Sequence, residues 1–344
     1  MMQQIVRKLR DFFDVFFGQS KSYFWLMILT AVLGYGYLLT SISKNGDHCY
    51  ERVRSVLTAA RQGRAGSSLL DLCGLTEFHI PFWSIAVGLI IFILSASVWM
   101  AVLNEASDKK IKKSSLLVFA LIYLSYPLNY EYFLYPNAFI LGATAYLLTA
   151  ASSFVLVASE RSVRSLILSV LLSTFATSIY ESFFVVHLWG MLVIYFLHLF
   201  YDCDEQPGKS KPCLKWFSIN ILCTLALFLF IQAIVQKTLG KGPGAARSIA
   251  WLLSEKSVWH TILSMSYANI YYYFYNAFFY FAIMVFVIAI PLFFYTCLRF
   301  PSKKKYICTV AVLIFGLNFS LSLLLGRDTP YRQAQILTVF VSMS

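Results

Sequence analysis

A chain of 344 residues with 59% hydrophobic and 17% aromatic residues against 13% charged ones departs from the roughly 25% charged content of a soluble domain, which excludes an ordinary water-soluble enzyme. Its net charge of +12 would suit nucleic acid only if the basic residues were gathered on one soluble face. They are scattered among short segments between apolar runs, so a nucleic-acid partner is excluded too.

Apolar runs recur from Ser22 almost to the last residue. A hydrocarbon core of ~30 Å takes about 20 helical residues, and only helices or closed barrels satisfy their own backbone hydrogen bonds there. Runs this continuous are helices. The expectation is an all-α polytopic membrane protein, one transmembrane domain over 1–344, with about nine to ten transmembrane helices.

In chain order, residues 1–21 read as a cytoplasmic interfacial helix, because Arg7, Lys8 and Arg10 are followed by Asp11 and Asp14 and no signal-cleavage site follows. Its apolar side, Ile5, Leu9, Phe12, Phe13 and Phe16, has the spacing to lie among lipid headgroups. The spans are expected at 22–42, 78–104, 114–128, 137–159, 165–180, 183–201, 216–236, 268–298 and 306–325, with a tenth starting near Gln335 and cut short at Ser344, as in a truncated product. Short loops carrying Lys109, Lys110, Lys112, Lys113 and Arg299, Lys303, Lys304, Lys305 fall on one side, which puts the N-terminus in the cytoplasm. Loops 43–77 and 237–267 are then outside.

Polar chemistry is confined to the outer loops. From Asp47 to Arg64 the chain lacks proline and reads as an amphipathic helix, with Tyr50, Val53, Leu57 and Ala60 as its apolar stripe. Asp47, Glu51, Arg54, Thr58 and Arg61 share the adjacent face. One reading is a solvated side whose charges complement the helix dipole. The other is a membrane-surface site in which Asp47 or Glu51 acts as general base on an incoming hydroxyl and Arg54, Arg61 and Arg64 grip a phosphate. On the helix alone both stand.

Two further acids are unusual in context. Glu131 lies between the third and fourth spans and Glu181, in Tyr180-Glu-Ser182, between the fifth and sixth; ionisable groups so close to hydrocarbon are functional candidates, or else carboxylates reaching the headgroups. Tyrosines around both read as an interfacial aromatic belt. Asp328 lies at another outer helix end with Arg327 and Arg332 close by, and this segment reads either as a phosphate contact or as an ordinary polar turn. Seven cysteines and five histidines form no metal motif. Cys49 and Cys73 share the first outer loop and are expected to pair, while His187 and His198 read as packing residues within the sixth span.

The order of these pieces resembles the Gtr-type, type II glucosyltransferase family of bacterial membrane proteins that modify O-antigen and related surface glycans. The resemblance rests on an acid just outside span one with a basic helix behind it, on Gln62-Gly-Arg64 leading into Ser67-Ser-Leu-Leu70, on Tyr126-Pro127 and on the Tyr180-Glu-Ser182 break. It implies a GT-C-like enzyme of the bacterial inner membrane, with an undecaprenyl-phosphate-linked glucose as donor and a lipid-linked or polymeric glycan as acceptor. It also implies a carboxylate base in the first outer loop. The chain departs from the pattern in having Asp47-His48 where a pair of acids is expected and Glu181 where a glutamine is. A divalent metal can replace part of the arginines' positive charge, and the sequence leaves that open. Two other activities fit the same layout: a flippase for a lipid-linked sugar, and an O-antigen polymerase.

Overall fold

The computed structural model describes residues 2–18, 21–40, 56–74, 81–125, 136–159, 162–201 and 210–240, with isolated positions between 263 and 309. Among these residues it is helical, with no strand. We label the helices α1 (Met2–Phe13, continued by a π turn, Asp14–Gly18), α2 (Lys21–Tyr35), α3 (Tyr37–Thr40), α4 (Val56–Arg61), α5 (Ala65–Leu72) and α6 (Pro81–Ala106). After them come α7 (Lys113–Ser125), α8 (Pro136–Ala158), α9 (Val163–Ile179), α10 (Ser182–Tyr201) and α11 (Ser210–Leu239).

Three helices contain segments long and apolar enough to cross a bilayer: Phe82–Ala106, Phe139–Ala158 and Leu214–Leu239. Lys113–Ser125, Val163–Ile179 and Ser182–His198 are apolar but shorter. The expected spans between 78 and 236 each coincide with one helix to within a few residues, whereas the expected span 22–42 is interrupted at Gly36, between α2 and α3. The spans expected at 268–298 and 306–325, and the one near Gln335, lie outside the continuously described residues.

The bundle is held by aromatic rings contributed from separate helices. Phe92 of α6 stacks on Tyr123 of α7 at 5.1 Å, and Tyr146 of α8 meets Phe183 of α10 edge-on at 4.9 Å. Tyr123 and Tyr146 touch at 5.6 Å, closing a four-helix cluster in which all four rings are buried. The Tyr123 hydroxyl finds Ser95 Oγ at 3.2 Å, which answers the need of a buried phenol for a polar partner.

Successive helices run back and forth, so the described loops collect at two ends. One end carries α1, the 107–112 turn and the end of α10: Lys8 Nζ is 3.0 Å from Glu105, Lys113 Nζ donates to the Val15 carbonyl, and Lys110 Nζ donates to the carbonyl of Tyr201. This is the lysine-rich end. The other end carries α4, α5, the α9–α10 break and the C-terminal part of α11.

On α1 the residues Ile5, Phe12 and Phe16 are buried in the protein's own core, while Met2 and Val6 are exposed. An amphipathic helix meets its need for apolar cover equally well on lipid or on a neighbouring helix. Here the Lys8–Glu105 ion pair tethers α1 to the end of α6, which favours the second.

Candidate functional site

The candidate site forms where residues 56–74 fold back on the bundle. Helix α4 ends at Arg61 rather than running on to Arg64 as its charge pattern suggests. The cause is Gly63, whose φ of +97° is one that residues with a side chain rarely adopt. Around it the Gly63 N–H donates to Ala60 O at 2.9 Å and the Arg64 N–H to Ala59 O at 2.8 Å, the paired bonds of a Schellman motif. The turn reverses the chain and starts α5 directly after Arg64.

Helix α5 then docks against the end of α9. Gly66 lies so close that a Cβ there would sit 2.9 Å from the Ile179 backbone nitrogen. Next to it the Ser67 hydroxyl donates to the Ile179 carbonyl at 2.7 Å. Ser67, Ser68 and Leu70 are all buried, so the Ser67-Ser-Leu-Leu70 segment is a packing surface. From the opposite side, the Gln232 amide of α11 donates to the Gly63 carbonyl.

These contacts deliver Arg64 onto the α9–α10 break. There α9 ends at Tyr180, in extended backbone, and α10 begins at Ser182, leaving Glu181 at the start of α10. A carboxylate at that position is favoured by the helix dipole. Arg64 Nε lies 3.7 Å from Glu181 Oε2, and the guanidinium carbon sits 4.2 Å from the centroid of the Tyr180 ring. Tyr180 is itself buried, so it forms the floor under Arg64 and is not part of an interfacial belt. The Arg64 and Glu181 side chains are 29% and 39% exposed, although Arg64 Nε itself is buried.

Two candidates from separate parts of the sequence, Arg64 and Glu181, are thus one constellation. Arg61 is exposed on the last turn of α4. Asp47, Glu51, Arg54, Glu131, Asp328, Arg327 and Arg332 lie outside the described residues. Cys73 is an exposed free thiol, and Cys49, its expected partner, also lies outside them. Among the described residues no three His, Cys, Asp or Glu side chains converge to hold a metal ion.

The charge pattern does not reveal Gln232 or Asn220. His187 is more than a packing residue: its Nε2 is 2.7 Å from Asn220 Oδ1, and Asn220 Nδ2 donates to Ser169 Oγ at 3.0 Å. The signal was available, since isolated amides in an apolar helix are costly and find polar partners across helices.

A family model described as "Glucosyl transferase GtrII" matches residues 36–344. The matched region contains α4, α5, the α9–α10 break and α11. No curated protein and no solved structure matches the chain.

Proposed function

Because the chain belongs to the glucosyl transferase GtrII family, we propose that it moves a hexose, glucose, from a polyprenyl-phosphate carrier to O-antigen or a related surface glycan at the outer face of the bacterial inner membrane. In this reading it is one domain of nine to ten spans with a cytoplasmic N-terminus and a GT-C-like layout. The lysine-rich end, with Lys8, Lys109, Lys110 and Lys113, then faces the cytoplasm. Family membership favours a transferase over a flippase or a polymerase.

A sugar phosphate on a lipid carrier is already activated, so the enzyme has two tasks. A base takes the proton of an acceptor hydroxyl as its oxygen bonds to the anomeric carbon; the bond from that carbon to the phosphate oxygen breaks, and the electron pair leaves with the phosphate. We assign the base to Asp47 or Glu51 and the phosphate contacts to Arg54, Arg61 and Arg64, with Glu131, Glu181, Asp328, Arg327 and Arg332 as further contacts to donor or acceptor. The observation that carries this reading is the position of Arg64: partly exposed, at the end opposite the lysine-rich turn, and 3.7 Å from Glu181, too long for a hydrogen bond. Bidentate capture of a phosphate by a guanidinium is stronger than so loose an ion pair.

The experiment is in vitro transfer from a polyprenyl-phosphate sugar by purified variants. Asp47→Asn is expected to lower turnover by at least ~100-fold, the lower end of what loss of a general base costs, with Lys44→Gln as the solvated-charge control. Near-normal turnover in Asp47→Asn moves the base to Glu51. Near-normal turnover in Asp47→Asn, Glu51→Gln and Glu181→Gln together overturns the assignment.

A further inference from the structure

We infer that Gln232 is a positioning residue for the donor phosphate, acting entirely through Arg64. The inference rests on the reading of Arg64 as a phosphate contact. Gln232 lies on α11, whose surface is mostly uncovered by the other described residues, and an amide in so apolar a helix is costly unless it is used. It is used at both ends: Nε2 donates to the Gly63 carbonyl, and Oε1 accepts from Gln236 Nε2 at 3.4 Å. The Gly63 carbonyl can only accept, so the amide turns its nitrogen to the turn and leaves its oxygen for Gln236.

That turn is the piece of backbone on which Arg64 depends. Gly63 is left-handed, and Arg64 is the next residue, with its own N–H closing the motif onto Ala59 O. Ser67 anchors the chain to α9 three residues beyond Arg64, and Gln232 anchors it to α11 one residue before. Arg64 is therefore suspended between two tethers, one on each flanking helix, above the ring of Tyr180. Releasing the α11 tether leaves α5 docked but frees the turn. The guanidinium then spends less time over the site, and a phosphate loses affinity.

Nothing in this role calls for Gln232 to touch substrate. Its side chain is committed to the backbone of the turn and to Gln236, and its distance from the reacting atoms is bridged by the Gly63–Arg64 peptide.

The test measures binding of a sugar-free polyprenyl phosphate to the purified full chain in nanodiscs, for the wild type, Arg64→Ala, Gln232→Met and the double variant. Methionine keeps the length of glutamine and removes the donor. Gln232→Met is expected to bind roughly fivefold more weakly, the worth of about one hydrogen bond, with its melting temperature lowered by no more than the loss of that one interhelical bond. Arg64→Ala is expected to bind at least ~10-fold more weakly, and the double variant no worse than Arg64→Ala alone. Gln232→Leu, which also lacks the donor and leaves the Gly63 turn unaltered, should reproduce the Gln232→Met loss and serves if that variant does not fold.

If Arg64→Ala binds like the wild type, the phosphate reading of Arg64 falls and this inference with it. If Arg64→Ala is weakened while Gln232→Met and Gln232→Leu bind normally, only the positioning role is overturned. A further loss on adding Gln232→Met to Arg64→Ala also overturns it, because Gln232 would then act by another route.

Discussion

Asn220 and His187 meet at 2.7 Å in the apolar middle of the bundle, and both are fully buried. With Asn220 Nδ2 committed as a donor to Ser169 Oγ, its Oδ1 must accept, so His187 carries its proton on Nε2. Ser169 Oγ in turn donates to the Ser152 carbonyl at 3.0 Å, and the network crosses from α11 and α10 through α9 to α8. One amide therefore ties together four helices.

Replacing that amide is expected to loosen the bundle without touching the site. Asn220→Leu removes two interhelical bonds worth about 0.6 kcal/mol each in a membrane protein, and orphans His187 as well. The expected loss is about 1–2 kcal/mol, seen as a lower melting temperature in detergent. An unchanged melting temperature would show the network to be energetically idle.

At the other contact across helices, Gly66→Ala should undock α5. The added methyl would press on Ser178 and on the Ile179 backbone, which cannot retreat within a packed helix end. Overpacking of this kind costs about 1–3 kcal/mol. A cysteine placed at Ser68, which is buried in the parent, is expected to react with a thiol reagent faster in the Gly66→Ala background. Equal rates would mean that α9 gives way instead.

Glu105 is nearly buried and faces both Lys8 at 3.0 Å and Lys109 at 3.9 Å. Glu105→Ala is expected to weaken the docking of α1 by about 1 kcal/mol, a figure held down by the partial exposure of Lys8. Ile5→Cys, protected in the parent, should then be labelled about fivefold faster. No acceleration would show that Phe12 and Phe16 hold the helix unaided.

Cys73 offers a direct readout of sidedness, since it is an exposed free thiol near the Arg64 end. In intact cells, a protein retaining only Cys73 should react with an impermeant maleimide, and one whose single cysteine is at Lys110 should not. The reverse pattern would place the N-terminus outside.

The described helices between 78 and 236 were legible because the signal for an apolar helix is summed over about 20 residues. The expected spans between 78 and 236 emerge as helices without knowledge of their neighbours. The site was legible only in its ingredients. Arg64 and Glu181 could each be singled out, by a basic loop and by an acid at a helix break, but 117 positions separate them and periodicity says nothing about pairs so distant. Gly63 decides where Arg64 points, and a helical-wheel reading that carries the helix through a glycine assigns the arginine to the wrong surface. The fate of Ile5, Phe12 and Phe16 was undecided for a different reason: an apolar stripe specifies that it will be covered, and not by what.

The burial of α1 bears on how the chain is made. The Lys8 side chain rests on Glu105, the Val15 carbonyl accepts from Lys113, and α1 also touches α8. None of those partners exists while residues 2–18 are being synthesised. The helix must therefore wait, its phenylalanines uncovered, until α6, the start of α7 and α8 have been made. An amphipathic segment with Arg7, Lys8 and Arg10 can shelter during that interval on an anionic lipid surface. A segment translated before its partners is thus among the last pieces to reach its final place.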